Sequence, residues 1–229
     1  MTKTNNLEEK NLEKLQIEKK QKKLNSIKKQ IIKELKCPLK DAANNIVFGK
    51  GNPNAQILFI GEAPGEKEDL QGIPFVGKAG KQLDKLLNQI NLTLDDIYIA
   101  NILKYRPPKN RDPTLEEIKN HAPYLIKQIK TIEPKIIATL GNYSTKFVLS
   151  NFKPEKMKKI PGIKELHGKK TKIKLGKNKF TVVPIYHPSA IVYRPSLKED
   201  FENDFKIMAK IIGNKFNKPE EQKSLKEIL

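Results

Sequence analysis

The chain has 229 residues, of which 37% are apolar, enough for one large domain with a sizeable core. Lysine and arginine outnumber the acids 45 to 26, a net charge of +19 that favours a polyanionic partner such as nucleic acid. A single cysteine, Cys37, excludes an internal disulfide, and the absence of any long apolar run argues against a membrane-spanning protein.

Residues 1 to 36 are polar and lysine-rich, without Gly or Pro. Leu24, Ile27, Ile31 and Leu35 recur at helical steps, which predicts a helix with one apolar stripe over its C-terminal half. The first 20 residues read as a frayed or solvated extension, with contact to DNA as the alternative. No apolar region of a secretory signal occurs there, so a cytoplasmic or other DNA-containing compartment is expected.

Cys37-Pro38 ends that helix, and Ile46-Val47-Phe48 followed by Gly49, Gly51 and Pro53 predicts a strand and a turn. The centre of the chain is Gln56 to Gly80. Ile57-Leu58-Phe59-Ile60 reads as a buried parallel strand. The turn Gly61-Glu62-Ala63-Pro64-Gly65 follows, then Glu66, Glu68 and Asp69 in what reads as a solvated acidic loop. Next come Phe75 and a second glycine turn, Gly77 to Gly80, that opens a helix carrying Leu83, Leu86, Leu87 and Ile90.

Ile97-Tyr98-Ile99-Ala100 is a further strand with Asn101 at its end, and Arg106 to Pro113 is a basic, proline-rich loop. Thr114 has the character of an N-cap, with Glu116 and Glu117 in the first turn of a helix running to about Ile132. Ile136 to Leu140 is a buried strand, followed by a short helix with Phe147 and Val148. Lys172 to Gly176 and Phe180 to Ile185 form a hairpin-like pair ending at Tyr186-His187-Pro188-Ser189, and Phe201 to Ile212 is the closing helix. This alternation predicts a single α/β domain at 37–213, with a central, mostly parallel sheet and helices on both faces. A helical extension at 1–36 precedes it and a tail at 214–229 follows. Glu62, Asn101 and His187 each follow a strand, and in a parallel sheet such ends face the same side.

The order GEAPG, acids, PFVG-x-AG, a strand-end Asn and an HPS resembles the uracil-DNA glycosylase superfamily, and within it family 4 of bacteria and archaea. The likeness spans roughly residues 37 to 212. It implies a monofunctional glycosylase that removes uracil from DNA and leaves an abasic site, acting as a monomer. It also implies roles by position. Asn101 corresponds to the residue that reads the uracil edge, since an amide offers the donor and acceptor that N3–H and O4 require. Phe75 corresponds to the aromatic that stacks on the base, and Ala63 belongs to the same substrate pocket. His187 corresponds to the donor to the departing uracil anion. Glu62 and Glu68 correspond to acids that orient water and favour a cationic sugar. The stretch Ser189 to Pro195 corresponds to the loop inserted into DNA, where Ala190, Ile191 and Val192 fill the gap left by a flipped nucleotide. Lys78, Ser189, Ala190, Ile191 and Arg194 are the expected DNA contacts.

The family normally carries an iron–sulfur cluster on four cysteines. Here those positions fall on Glu34, Cys37, Tyr105 and His121, so no cluster is expected and no metal ligands are assigned. The helix stripe and Tyr105 are expected to fill that region as core. Two other functions remain open on the sequence: a non-catalytic DNA-binding or replication accessory protein on the same fold, and an unrelated α/β enzyme of nucleotide or sugar phosphate.

Overall fold

The computed structural model describes residues 2–213; the tail expected at 214–229 lies outside the described residues. In chain order the elements are α1 (Thr2–Glu34), α2 (Pro38–Ala42), β1 (Lys50–Gly51), β2 (Ile57–Gly61), α3 (Glu66–Gln71), α4 (Lys78–Gln89), β3 (Ile97–Asn101), α5 (Leu115–Ile132), β4 (Ile136–Leu140), α6 (Asn142–Leu149), α7 (Ile163–Leu166), β5 (Thr171–Leu175), β6 (Asn178–Ile185), α8 (Ser189–Tyr193) and α9 (Lys198–Ile212).

The strands form one six-stranded sheet in the order β1-β3-β2-β4-β6-β5. The inner four are parallel, and the two edge strands run antiparallel to their neighbours. β2, β3 and β4 are buried at every position, as their unbroken apolar runs require when both faces are covered. Successive residues point to opposite faces. Leu58 and Ile60 of β2 face a core shared with α1 and α5, where Leu24, Ile27, Ile31 and Leu35 meet Ile118, Leu125, Ile129 and Ile132. Ile57 and Phe59 face a second core with Leu83, Leu86 and Leu87 of α4 and Phe201, Phe205 and Met208 of α9. Helices therefore cover both faces, as the alternating pattern predicts.

Three local readings are revised. The expected strand at Ile46–Phe48 is irregular. Val47 N–H donates to Lys104 O at 2.8 Å, and the Phe48 carbonyl accepts from Gln128 Nε2 at 3.0 Å, so a side chain occupies the place of a ladder partner. Pairing begins only at Lys50, after Gly49, and runs past Gly51 (φ 111°), where a Cβ would strike the Ile97 carbonyl oxygen. The acidic loop is helix α3, closed by Gly72 in the left-handed region (φ 68°). Its Asp69 is buried and accepts from the backbone N–H groups of Asn44 and Asn45 and from Asn44 Nδ2. Finally, α1 is helical from Thr2, although its side chains from Asn11 to Lys19 are mostly exposed. No Gly or Pro interrupts it, and the packed C-terminal half is a nucleus from which helix propagates at little cost.

The remaining boundaries follow their local signals. Thr114 caps α5 in a capping box: its hydroxyl accepts from Glu117 N, and Glu117 Oε2 accepts from Thr114 N. No helix among the described residues is long and apolar enough to cross a membrane.

Candidate active site

The C-terminal ends of β2, β3, β4 and β6 open on one side of the sheet, the usual ligand position in such folds. A cleft of about 470 Å³ lies there. It is lined by Glu62 to Gly65 after β2, Glu68 of α3, Phe75 and Ala79 around the start of α4, Asn101 at the end of β3, Pro107, Asn110 and Arg111 of the following loop, and His187 and Ser189 after β6. Of the residues singled out in the sequence, Glu62, Ala63, Glu68, Phe75, Asn101, His187 and Ser189 thus share one cavity. Lys78 is exposed beside Ala79. Ala190 and Ile191 lie on α8, half-buried against the second core, while Arg194 is exposed at the end of that helix and does not line the cleft.

His187 has a defined tautomer. Its Nδ1 faces the Ser189 backbone N–H at 3.3 Å and the Ser189 hydroxyl at 2.7 Å, so this nitrogen accepts and the proton sits on Nε2. Burial pushes the imidazole pKa down to about 4, against a smaller opposing effect of Glu68. The ring is therefore neutral at physiological pH, with its Nε2–H free of a protein partner among the described residues. Gly141 (φ 90°) lies behind it, and a Cβ there would crowd His187 Cβ at 3.1 Å.

Asn101 is only 2% exposed, yet its side-chain amide makes no hydrogen bond to protein among the described residues. It lies close over Gly61, where a Cβ would collide with Asn101 Oδ1 and the Phe75 ring. The amide opens on the cleft, where a ligand or water can complete its donor and acceptor. Phe75 itself is in the left-handed region (φ 53°), with its ring centroid 6.0 Å from that of His187. Three groups hold this backbone. Glu68 Oε1 accepts from Val76 N at 2.9 Å and Gly77 N at 2.8 Å, Lys50 Nζ donates to the Phe75 carbonyl at 3.3 Å, and Gly80 lacks the Cβ that would strike it. Glu68 thus braces the aromatic and the start of α4 as well as lining the cleft.

Burial, helped by the nearby Asp112 carboxylate, pushes the Glu62 pKa up to about 7. A carboxylate poised near neutrality is a candidate general base or acid.

Sequence reasoning missed Arg111. Its guanidinium grips Glu117 through two bonds, Nη1–Oε2 at 2.8 Å and Nη2–Oε1 at 2.5 Å, and so anchors the proline-rich loop to the first turn of α5. Glu117 was legible as a capping residue, but nothing in a helical or alternating period links it to a partner six positions earlier. Lys104 was also missed. It is fully buried behind Asn101, and burial lowers its pKa to about 7.

A family model described as "Uracil DNA glycosylase superfamily" matches residues 48–209. A protein named type-4 uracil-DNA glycosylase from Archaeoglobus fulgidus is 43% identical over 192 residues, 84% of this chain and 94% of that protein. One of the same name from Sulfurisphaera tokodaii is 44% identical over 184 residues, 80% of this chain and 82% of its own. A third, from Saccharolobus solfataricus, is 43% identical over 193 residues, 84% and 88% of the two chains.

The donor set at the four positions where the resemblance puts cluster thiolates does not fit an iron–sulfur cluster. Glu34 is exposed on α1, while Cys37, Tyr105 and His121 are buried. Cys37 and Tyr105 belong to the core around the α1 stripe, and burial raises the Cys37 pKa, favouring the thiol over the thiolate a metal needs. The Tyr105 and His121 rings meet edge-on at 6.1 Å. His121 Nδ1 accepts from Lys104 N at 2.9 Å, and burial pushes its pKa down to about 3. Among the described residues, no group of three or more His, Cys, Asp or Glu side chains is placed to hold a metal ion. With most of its length matched by the family model and by these relatives, the chain belongs to the uracil-DNA glycosylase superfamily and is similar to its type-4 members.

Proposed function

We propose that this protein is a monofunctional uracil-DNA glycosylase that hydrolyses the N-glycosidic bond of uracil in DNA and leaves an abasic site. The observation that carries this reading is the convergence, in one cleft, of an amide open to the cavity, a braced aromatic, a neutral imidazole N–H and a carboxylate poised near neutrality. Uracil turned out of the DNA stack lies on Phe75, and the Asn101 amide meets N3–H and O4. As the bond from the sugar C1′ to N1 lengthens, its electron pair moves into the pyrimidine and negative charge gathers on O2. His187 Nε2–H donates to that oxygen; being neutral, it stabilises the anion by hydrogen bonding without having to give up a proton. Water adds to C1′ on the opposite face, and the ionised Glu62 takes its proton. Glu68 holds the Phe75–Gly77 turn through this sequence. The protein is read as acting as a monomer.

DNA contact is assigned to Lys78, Ser189 and Arg194 around the cleft mouth, with Ala190 and Ile191 on α8 taking the space of the flipped nucleotide. No iron–sulfur cluster takes part in this reading, on the ground that one buried thiol cannot replace four thiolates. The test is incubation with a single-stranded or duplex oligonucleotide bearing one uracil, followed by alkali cleavage of the abasic site. Strand scission at the uracil, absent from a matched cytosine oligonucleotide, is expected; an intact uracil strand would refute the proposal.

A further inference from the structure

Lys104 is a large, fully buried cationic side chain with no assigned role. It sits three residues past Asn101, in the segment that leaves the end of β3. Its Nζ donates to the Asn101 main-chain carbonyl at 2.7 Å and to Gln128 Oε1 of α5 at 2.6 Å, and lies 6.0 Å from the centre of the Phe48 ring. Gln128 is itself fixed by donating to the Phe48 carbonyl at 3.0 Å. The Lys104 backbone is equally pinned: its N–H donates to His121 Nδ1 at 2.9 Å, and its carbonyl accepts from Val47 N at 2.8 Å. No carboxylate pairs with the ammonium among the described residues; the titratable groups facing it are His121 and, across Gln128, Tyr98.

A fold that needed only to fill this space would do so with an apolar side chain, because burying an ionisable group is costly unless its hydrogen bonds have a use. The geometry points to a different use. Among the described residues, the only main-chain group that Nζ grips is the carbonyl of Asn101, the residue whose amide is left open to the cleft.

We propose that Lys104 is the positioning residue of the base-reading site, its Nζ donors holding the Asn101 backbone in place behind the pocket. This rests on the reading of the cleft as a uracil pocket. Through Lys104, the Asn101 backbone is tied to two elements remote from the substrate: α5 by Gln128 and His121, and the 47–48 segment.

The test compares wild type with Lys104→Met and Gln128→Leu by single-turnover release of uracil from a uracil-containing oligonucleotide, by affinity for the same oligonucleotide, and by thermal unfolding. Lys104→Met, which leaves Gln128 Oε1 without its donor, is expected to stay folded at the assay temperature with some loss of stability, while releasing uracil about tenfold to a hundredfold more slowly, the scale of a misplaced reacting group. DNA affinity should be little changed. Gln128→Leu, which loosens the same ammonium, should show a smaller loss in the same direction and carries the test if Lys104→Met does not fold. Release at the wild-type rate in either variant, or a loss that follows the unfolded fraction, would overturn the inference. If wild-type protein itself leaves uracil in place, the functional reading fails instead, and the two failures are distinct.

Discussion

The cleft and the Cys37 region lie on either side of one short segment, residues 101 to 105, and treat polar groups in opposite ways. On the cleft side the Asn101 amide and the His187 Nε2–H have no protein partner, and Glu62 is held near its titration point. On the other side polar groups are consumed by the protein or surrounded by core: Lys104 by Asn101 and Gln128, His121 Nδ1 by Lys104, Tyr105 by the α1 stripe. One buried atom there, His121 Nε2, is left without a partner. The contrast teaches that matching positions in a family need not keep matching work. Where a substrate must be bound, the polar inventory stays open. Where the resemblance puts cluster ligands, Cys37 and Tyr105 are packed in the core with the α1 stripe.

The sharpest way to break this comparison is Asn101→Asp. The carboxylate would face uracil O4 and oppose the developing anion, so uracil release should fall by several kcal/mol, roughly a thousandfold or more. A single-turnover rate within about tenfold of wild type would mean that Asn101 does not read the base. His187→Ala comes next, with an expected loss of about a hundred- to a thousandfold in release and little change in DNA affinity. Wild-type turnover in that variant would remove His187 from the chemistry.

Glu62 offers a pH test. Its pKa is raised to about 7 by burial, so the carboxyl is protonated below that value and ionised above it. As the base, it should make release rise with pH between 6 and 8 and then level, while His187 stays neutral throughout. Glu62→Gln should flatten the rise and cost about a hundredfold at pH 8. A variant that keeps the wild-type pH profile would assign the limb elsewhere.

On the other side of the comparison the expected effects are on stability. Ile31→Ala, in the buried stripe of α1, should cost about 2–5 kcal/mol in denaturant unfolding, against a change within about 0.5 kcal/mol for Leu12→Ser on the exposed half. Equal effects would show that α1 does not divide in this way. The smallest effect expected is none at all: the purified protein should be colourless and free of iron, and chelators should leave uracil release unchanged. Iron at cluster stoichiometry, with a broad visible band, would overturn the reading of Cys37, Tyr105 and His121 as core.

The sheet was legible because β2, β3 and β4 are unbroken apolar runs between turn signals, and the cleft lining because Glu62 and Asn101 directly follow or end such a run and His187 stands two residues past the end of β6. What escaped was set by side chains acting across the chain. The 46–48 segment has strand composition, yet Gln128, some 80 positions away, takes its carbonyl. The acids of α3 read as solvated, but Asp69 is buried beneath the Asn44–Asn45 backbone and Glu68 reaches forward to Val76 and Gly77. Arg111 and Lys104 look like ordinary members of a lysine-rich composition; only the folded loop shows one forked on Glu117 and the other enclosed behind Asn101.

Phe75 shows what such long-range bracing achieves. A bulky residue with φ of 53° sits in a conformation that costs on the order of 1–3 kcal/mol, and here Glu68, Lys50 and Gly80 together maintain it. The expense is met once, at folding, rather than at each encounter with DNA. If Phe75 stacks the base as proposed, an incoming base finds a shelf already at its final height, and the ordering entropy that a loose aromatic would lose on stacking has been surrendered beforehand. On that reading the shelf does not drop to admit a thicker or tilted ring without releasing three separate anchors, and selection by shape is built into the backbone before any hydrogen bond is read.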